Sequence, residues 1–355
     1  MANVLIFGND RKYVPGRGLS EAAGEKVPFE HNDVLALAHF SGVRSEKGGF
    51  LLERGRDDIS GSKEELSKLF LAVDSYDDGD FRFKLHQTRR NDGIIVISGN
   101  ASPYISDSDP ITIGKKIGRI LPLVNNPEPD RAKKTADALN RYLTYCHHQL
   151  SGNPDLSQKA NFLVTQRCGR RVDLKPFENV WGLKPMMIAS PTVYEGLAHE
   201  LGFYFVRAKD TQDPGLDLQQ RIRTALDDPD HDFFHVHTKV PDEVSHKGTP
   251  LLKKQAIEAL DIGMGELVDA MEKRKDVLVI VTGDHSTPSD STLIHSGETV
   301  PVLIAGPNIR RDRVDTFNEI RVAEGCLGLL RGRELMLMAL NFADQSVLAT
   351  HQLGD

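Results

Sequence analysis

The stretch VLVIVTGDHSTPSDSTLIHSGETVPVLIAG runs an apolar segment straight into Asp284 and His285 and offers a second imidazole, His295, a short loop later. Desolvating a carboxylate beside two imidazoles is costly unless positive charge sits among them. An upstream stretch, FFHVHTKVPDEVSHKG, adds Asp242 and His246. If the residues after Pro241 turn helical, Asp242 and His246 stand four apart and project side by side, a spacing suited to gripping one ion. A mixed carboxylate and imidazole set suits Mn²⁺ or Zn²⁺ better than the all-oxygen shells typical of Ca²⁺ or Mg²⁺. Asp242, His246, Asp284, His285 and His295 together exceed what one catalytic zinc needs. The expectation is therefore two divalent metals, Mn²⁺ or Zn²⁺ with Co²⁺ or Mg²⁺ as further alternatives, clamping both oxygens of a phosphoryl transfer.

Such a site needs strand ends and loops to carry it. Short apolar runs ending in polar or glycine-containing turns read as strands at 93–100, 160–169, 184–190, 203–210, 232–240, 276–285 and 300–306. Amphipathic stretches at 133–150, 217–226 and 253–275 read as helices. Strands alternating with helices imply an α/β fold with a mostly parallel sheet flanked by helices, regular from about residue 180. Ligand sites in such sheets gather at the carboxyl ends of strands, which is where Asp284 and His285 fall. Alternation along 232–240 puts His235, His237 and Lys239 on one strand face. The segments FLLERGRDD, DDGDFRFKLHQTRR and 93–99 look shorter and polar-edged, so a smaller α+β domain is expected at 19–177, inserted into a domain built from 1–18 and 178–355.

The 355 residues allow two well-packed domains, and 39% apolar with 27% charged residues is ordinary for a globular protein. A net charge of -7 argues against a general nucleic-acid binder. No apolar run reaches the length of a membrane span, and the N-terminal residues lack a signal pattern. Cys146, Cys168 and Cys326 are widely spaced and form no CxxC pair, which suits a reducing cytoplasm. His147 and His148 read as surface residues, Trp181 as core, and DDPDHD at 227–232 as a loop.

Taken in order, YVPGRGLSEAAG, ISDSDP, ANFLVTQRCG, ENVWGLKP, HTKVPDEVSH, GDHSTP, IHSGETVPVLI and GCLGLLRGRELM resemble the alkaline phosphatase superfamily. More narrowly, they resemble the archaeal-type, cofactor-independent (2,3-bisphosphoglycerate-independent) phosphoglycerate mutases along nearly the whole chain. That resemblance implies an alkaline-phosphatase-like fold and a two-Mn²⁺ isomerase that moves a phosphoryl group between the 3- and 2-hydroxyls of glycerate through a phosphoserine. It implies that Asp242, His246 and His295 surround one metal, that Asp284 and His285 belong to the other, and that Lys239 is the active-site lysine. It also implies that the insert closes over substrate with basic residues, for which Arg17, Arg54, Arg167 and Arg170 are the candidates. Arg17, within Pro15-Gly16-Arg17-Gly18, doubles as a candidate hinge residue.

Two departures qualify this expectation. In the family's register Asp10 falls after the helix of the nucleophile rather than on the first strand, so it is not expected to bind metal. The family serine is then expected about two residues upstream of Met1, with the first core strand also upstream and a start codon misassigned to an internal methionine. The alternative is a non-catalytic metal-binding protein. Within the insert, Leu37 and His39 stand where the family has an Arg-x-Asn pattern, Asp57 and Asp58 crowd Arg54 and Arg56, and Ser98 replaces an arginine. Fewer bidentate arginines weaken recognition of phosphate and carboxylate. A second expectation is therefore a related transferase or hydrolase acting on another phosphate ester or a phosphonate. The run Arg167, Arg170 and Arg171 is the candidate compensation.

Overall fold

The computed structural model describes residues 7–8, 16–153, 156, 159–289, 295–307 and 309–346. Asp10, the register marker of the N-terminal argument, lies outside them. The chain divides into two compact units, 15–173 and a larger one formed by 1–14 with 174–355.

The smaller unit is built on an antiparallel sheet. Its elements are α1 (Arg17–Gly24), β1 (Val34–Glu46), β2 (Gly49–Arg54), α2 (Lys63–Ala72), β3 (Ser75–Asp77), β4 (Arg82–Gln87), β5 (Asp92–Ser98), α3 (Pro129–Gly152) and β6 (Phe162–Arg170). The sheet runs β2-β1-β5-β4-β3, and β6 also pairs with β1. The long central β1 was not anticipated by alternation, because it is covered on both faces. Val34, Ala36, Ala38 and Phe40 face the core under α2 and α3, while Leu35 packs with Leu19, Ala22, Ile94 and Val96 on the side of α1.

Local chemistry sets the helix ends. Ser62 accepts from the Glu65 amide and Glu65 returns a bond to the Ser62 amide, a reciprocal cap that starts α2. Pro129 opens α3, which buries Leu139, Tyr142, Leu143 and Cys146 along one stripe. Tyr142 donates its hydroxyl to the Val73 carbonyl at 2.7 Å. His147, expected at the surface, is half-buried instead. Its ring lies 4.4 Å from that of Phe50 and 5.7 Å from that of Phe162, and Nδ1 sits 2.8 Å from the Asn161 carbonyl.

In the larger unit the elements are α4 (Phe177–Trp181), β7 (Pro185–Ala189), α5 (Thr192–Leu201), β8 (Tyr204–Arg207), α6 (Pro214–Leu226), β9 (Phe233–Val236), α7 (Val240–Lys247), α8 (Pro250–Gly263), α9 (Gly265–Lys273), β10 (Val279–Thr282), β11 (Val302–Ala305) and α10 (Gly332–Phe342). Strands β8-β7-β9 form a parallel sheet with helical crossovers, as expected. Phe7, Phe177, Trp181, Met187, Phe203, Met336 and Leu340 fill its core, and Trp181 Nε1 donates to the Phe7 carbonyl at 3.1 Å. Among the described residues no helix is long and apolar enough to cross a membrane.

Three expectations need correction. The strand expected to run to His285 ends at Thr282, and β10 pairs antiparallel with β11 in a separate two-stranded sheet. The strand expected over 232–240 ends at Val236, so Lys239 shares no strand face with His235. Pro241 has its ring-fixed φ in the first turn of α7 and makes Lys239 the residue that precedes the helix. The helix expected over 253–275 breaks into α8 and α9 around Met264. Gly263 lies so close to the Gly215 carbonyl that a Cβ could not be placed there, and Gly265 follows at once.

The smaller unit closes on itself where its ends cross. A Cβ built on Gly169 would lie 2.5 Å from the Gly16 Cα and 2.6 Å from its nitrogen, both backbone atoms. Gly169→Ala should cost about 1–3 kcal/mol through overpacking, read as a lower urea midpoint. A midpoint equal to wild type would show that the two segments can separate freely.

Candidate metal centre

Helix α7 presents Asp242 and His246 one turn apart, with His246 Nε2 3.2 Å from Asp242 Oδ1. After β10 the chain crosses itself through a single bridge between Ser286 and Ser296, with the Ser296 amide 3.2 Å from the Ser286 carbonyl. That bridge sets His285 beside His295, ring centroids 4.0 Å apart, and His246 lies 5.4 Å from His295. His295 Nε2 is 3.6 Å from Asp242 Oδ1, and His285 Nε2 is 3.6 Å from Asp284 Oδ1. Thus all five residues singled out in the sequence are gathered.

Among them, Asp242, His285 and His295 each offer a donor atom within 4.8 Å of the others'. One carboxylate and two imidazoles in mutual reach make a donor set that fits a divalent cation. Electrostatics agrees. Burial alone would raise the Asp242 carboxyl, but the Thr287 hydrogen bond and the charges of His246, His285 and Lys239 hold it below the usual carboxylate range. The His295 imidazole is pushed down by desolvation and by His285 against it. A deprotonated carboxylate and neutral imidazoles are the states that ligate a metal.

Thr287 was missed in the sequence. Its Oγ1 donates to Asp242 Oδ1 at 2.9 Å and sits 3.0 Å from His285 Nδ1, and its carbonyl accepts from Lys253 Nζ at 2.6 Å. Lys239 stands at the start of α7, exposed, with Nζ 3.6 Å from Glu243 Oε1.

The candidate anion-binding arginines of the smaller unit sit in different surroundings. Arg54 ends β2, exposed. Arg170 donates to Glu128 at 2.8 Å and to the Ala101 carbonyl, and Arg171 lies over the Phe29 ring. The three-arginine cluster is therefore not a single anion cradle. Arg167 occupies a bulge of β6, with φ 54° where Leu35 and Leu37 pair to Gly169 and Gln166. Its amide donates to Asp107 Oδ1 at 2.6 Å. Partial burial, then the nearby charge of Arg17, lowers the Arg167 guanidinium pKa. Arg17 itself pairs with Glu21 at 2.6 Å. His39 is buried, with Nε2 3.4 Å from Asp109 Oδ2, and burial lowers its pKa despite that carboxylate.

Leading into the centre, β9 carries His235 against the Phe7 ring, centroids 5.1 Å apart, and His237, just past the end of β9, lies against Tyr194 at 3.9 Å. Burial pushes His235 down to about 4, and burial with neighbouring positive groups pushes His237 down to about 2.

Sequence comparison places these features among known proteins. The sequence model of the Metalloenzyme superfamily matches residues 167–342, and that of the 2,3-bisphosphoglycerate-independent phosphoglycerate mutases matches 1–154. A relative named 2,3-bisphosphoglycerate-independent phosphoglycerate mutase 2, from Methanocaldococcus jannaschii, is 35% identical over 371 residues, covering 100% of this chain and 83% of its own. A Methanococcus vannielii 2,3-bisphosphoglycerate-independent phosphoglycerate mutase is 30% identical, covering 94% of this chain and 82% of its own. A solved Pyrococcus horikoshii protein superposes with a TM-score of 0.71 at 21% identity, covering 100% of this chain and 84% of its own. The cofactor-independent phosphoglycerate mutase of Thermoplasma acidophilum gives 0.57 at 23% identity, covering 96% and 85%.

The buried histidines make a pH prediction. Unfolded, both rings titrate near 6.5; folded, His235 resists protonation until about 4. The stability they supply is complete above pH 6.5 and is lost as pH falls toward 4, about 2 kcal/mol for His235 at pH 5. Unfolding followed by Trp181 emission should show a midpoint that drops from pH 7.5 to pH 5. His235→Phe should flatten that slope; an unchanged slope would remove His235 as its source.

Proposed function

The chain belongs to the 2,3-bisphosphoglycerate-independent phosphoglycerate mutases, within the metalloenzyme superfamily, and we propose that it interconverts 3-phosphoglycerate and 2-phosphoglycerate by metal-dependent phosphoryl transfer. The observation that carries this reading is the cluster of Asp242, His285 and His295, whose donor atoms lie within 4.8 Å of one another. Asp242, His246 and His295 would hold one divalent ion, and Asp284 and His285 would contribute to a second. This mixed donor set suits Mn²⁺ or Zn²⁺, and the resemblance to the family puts Mn²⁺ first. When bound, such ions draw charge from the transferring phosphoryl oxygens and lower the pKa of the attacking hydroxyl.

The protein's own groups do the rest. Lys239, exposed at the start of α7, presents a point charge to phosphate. Asp242 stays ionised because Thr287 and the surrounding positive groups favour its charged form, so it keeps its lone pairs for the ion. Arg17 and Arg167, the latter at the bulge of β6, are the groups to answer the anionic parts of the substrate.

A second reading follows from His39. The position expected to carry an asparagine holds a buried imidazole tied to Asp109, and this favours a related phosphate ester as an alternative substrate.

Protein isolated from its native source and loaded with Mn²⁺ should convert 3-phosphoglycerate to 2-phosphoglycerate without added bisphosphoglycerate. Chelation should abolish turnover, and Asp242→Asn should lower kcat by about 10³-fold or more, as loss of one charge-stabilising group commonly does. Absence of 2-phosphoglycerate at saturating substrate would overturn the mutase reading. Release of inorganic phosphate instead would point to hydrolysis.

A further inference from the structure

We propose that Thr287 is a positioning residue whose hydroxyl links the two groups of ligands, setting the ring of His285 by a one-way relay from His285 Nδ1–H through Thr287 Oγ1–H to Asp242 Oδ1. The inference rests on the metal reading above. Its sense follows from counting protons. A hydroxyl has one proton, and Thr287 donates it to a carboxylate oxygen 2.9 Å away, an atom that only accepts. Toward His285 Nδ1, 3.0 Å away, the same oxygen must then accept. His285 therefore carries its proton on Nδ1, and Nε2, on the side of Asp284, keeps the lone pair that a cation needs. Metal-binding histidines ordinarily fix their tautomer through the second nitrogen, and here a hydroxyl does so on behalf of a carboxylate that is itself a ligand.

Two features hold the hydroxyl in place. Pro288 follows Thr287 and restricts its backbone to extended conformations. Lys253, from α8, donates to the Thr287 carbonyl at 2.6 Å. The side chain is 5% exposed, so water cannot readily replace either bond. Because Asp242 and Thr287 lie 45 positions apart, one oxygen atom ties α7 to the loop after β10.

The relay is tested first without any variant. Nitrogen-15 spectra of the metal-free wild-type protein at pH 8 should show the His285 ring protonated on Nδ1; protonation on Nε2 would overturn the proposal. Mn²⁺ titration calorimetry on the full chain supplies the second readout. Thr287→Val, similar in shape but without the hydroxyl, should bind Mn²⁺ about tenfold or more weakly, while Thr287→Ser stays within about threefold of wild type. Circular dichroism and Trp181 emission report whether each variant is folded. Thr287→Val binding within about threefold of wild type would overturn the relay. If that variant does not fold, weak binding by a folded Thr287→Ser would count against the relay, and the ring spectrum decides in either case. A wild-type protein that takes up no Mn²⁺ would overturn the metal reading itself, a result distinct from the tautomer.

Discussion

One oxygen atom organises the candidate metal centre. Asp242 Oδ1 accepts the Thr287 hydroxyl at 2.9 Å and faces His246 Nε2 at 3.2 Å and His295 Nε2 at 3.6 Å. Those partners come from α7, from the segment after β10 and from the far side of its loop, so three stretches of chain terminate on one carboxylate. Groups this polar are expensive to desolvate, and they persist only where each finds a counter-charge or a hydrogen bond. The surrounding structure meets that demand piece by piece. Pro241 starts α7 at the right residue, the Ser286–Ser296 bridge sets the two loop histidines side by side, and Lys253 reaches from α8 to fix the turn between them.

The five clustered residues were readable in the sequence because the signal is local. Asp242 and His246 are four apart, and Asp284, His285 and His295 fall within a dozen residues after an apolar run. Thr287 gave no such signal, since its importance lies in bonds to a partner 45 positions away. Lys239 was assigned to a strand face because alternation alone does not reveal that Pro241 starts a helix just downstream. Strand β10 was recognised as a strand, but periodicity says nothing about partners, and antiparallel pairing with β11 emerged only in three dimensions. The missed strand β1 shows the opposite limit. Its run VLALAHF is apolar on both faces, a pattern that distinguishes poorly between strand and helix.

The smaller unit shows why a count of arginines is a poor measure of anion binding. The Arg56 guanidinium goes to Asp92, and Arg170 is committed to Glu128. Both therefore hold loops and strands together. Arg167 differs because its backbone is displaced by a bulge, its amide is anchored on Asp107, and it stands close enough to Arg17 for the two charges to feel each other. Backbone geometry, more than the number of cationic residues, sets Arg167 apart from its neighbours.

The glycine-on-glycine contact of Gly16 with Gly169 has a meaning beyond packing. The two residues stand near the two ends of the smaller unit, so the start of α1 and the end of β6 are pinned together whatever lies between them. The segment from 100 to 128, between β5 and α3, is held as firmly: it buries Ala101, Ser102, Ile105, Ser108 and Ile120 and hydrogen-bonds to β2 and β6, so the sheet constrains both its length and its sequence.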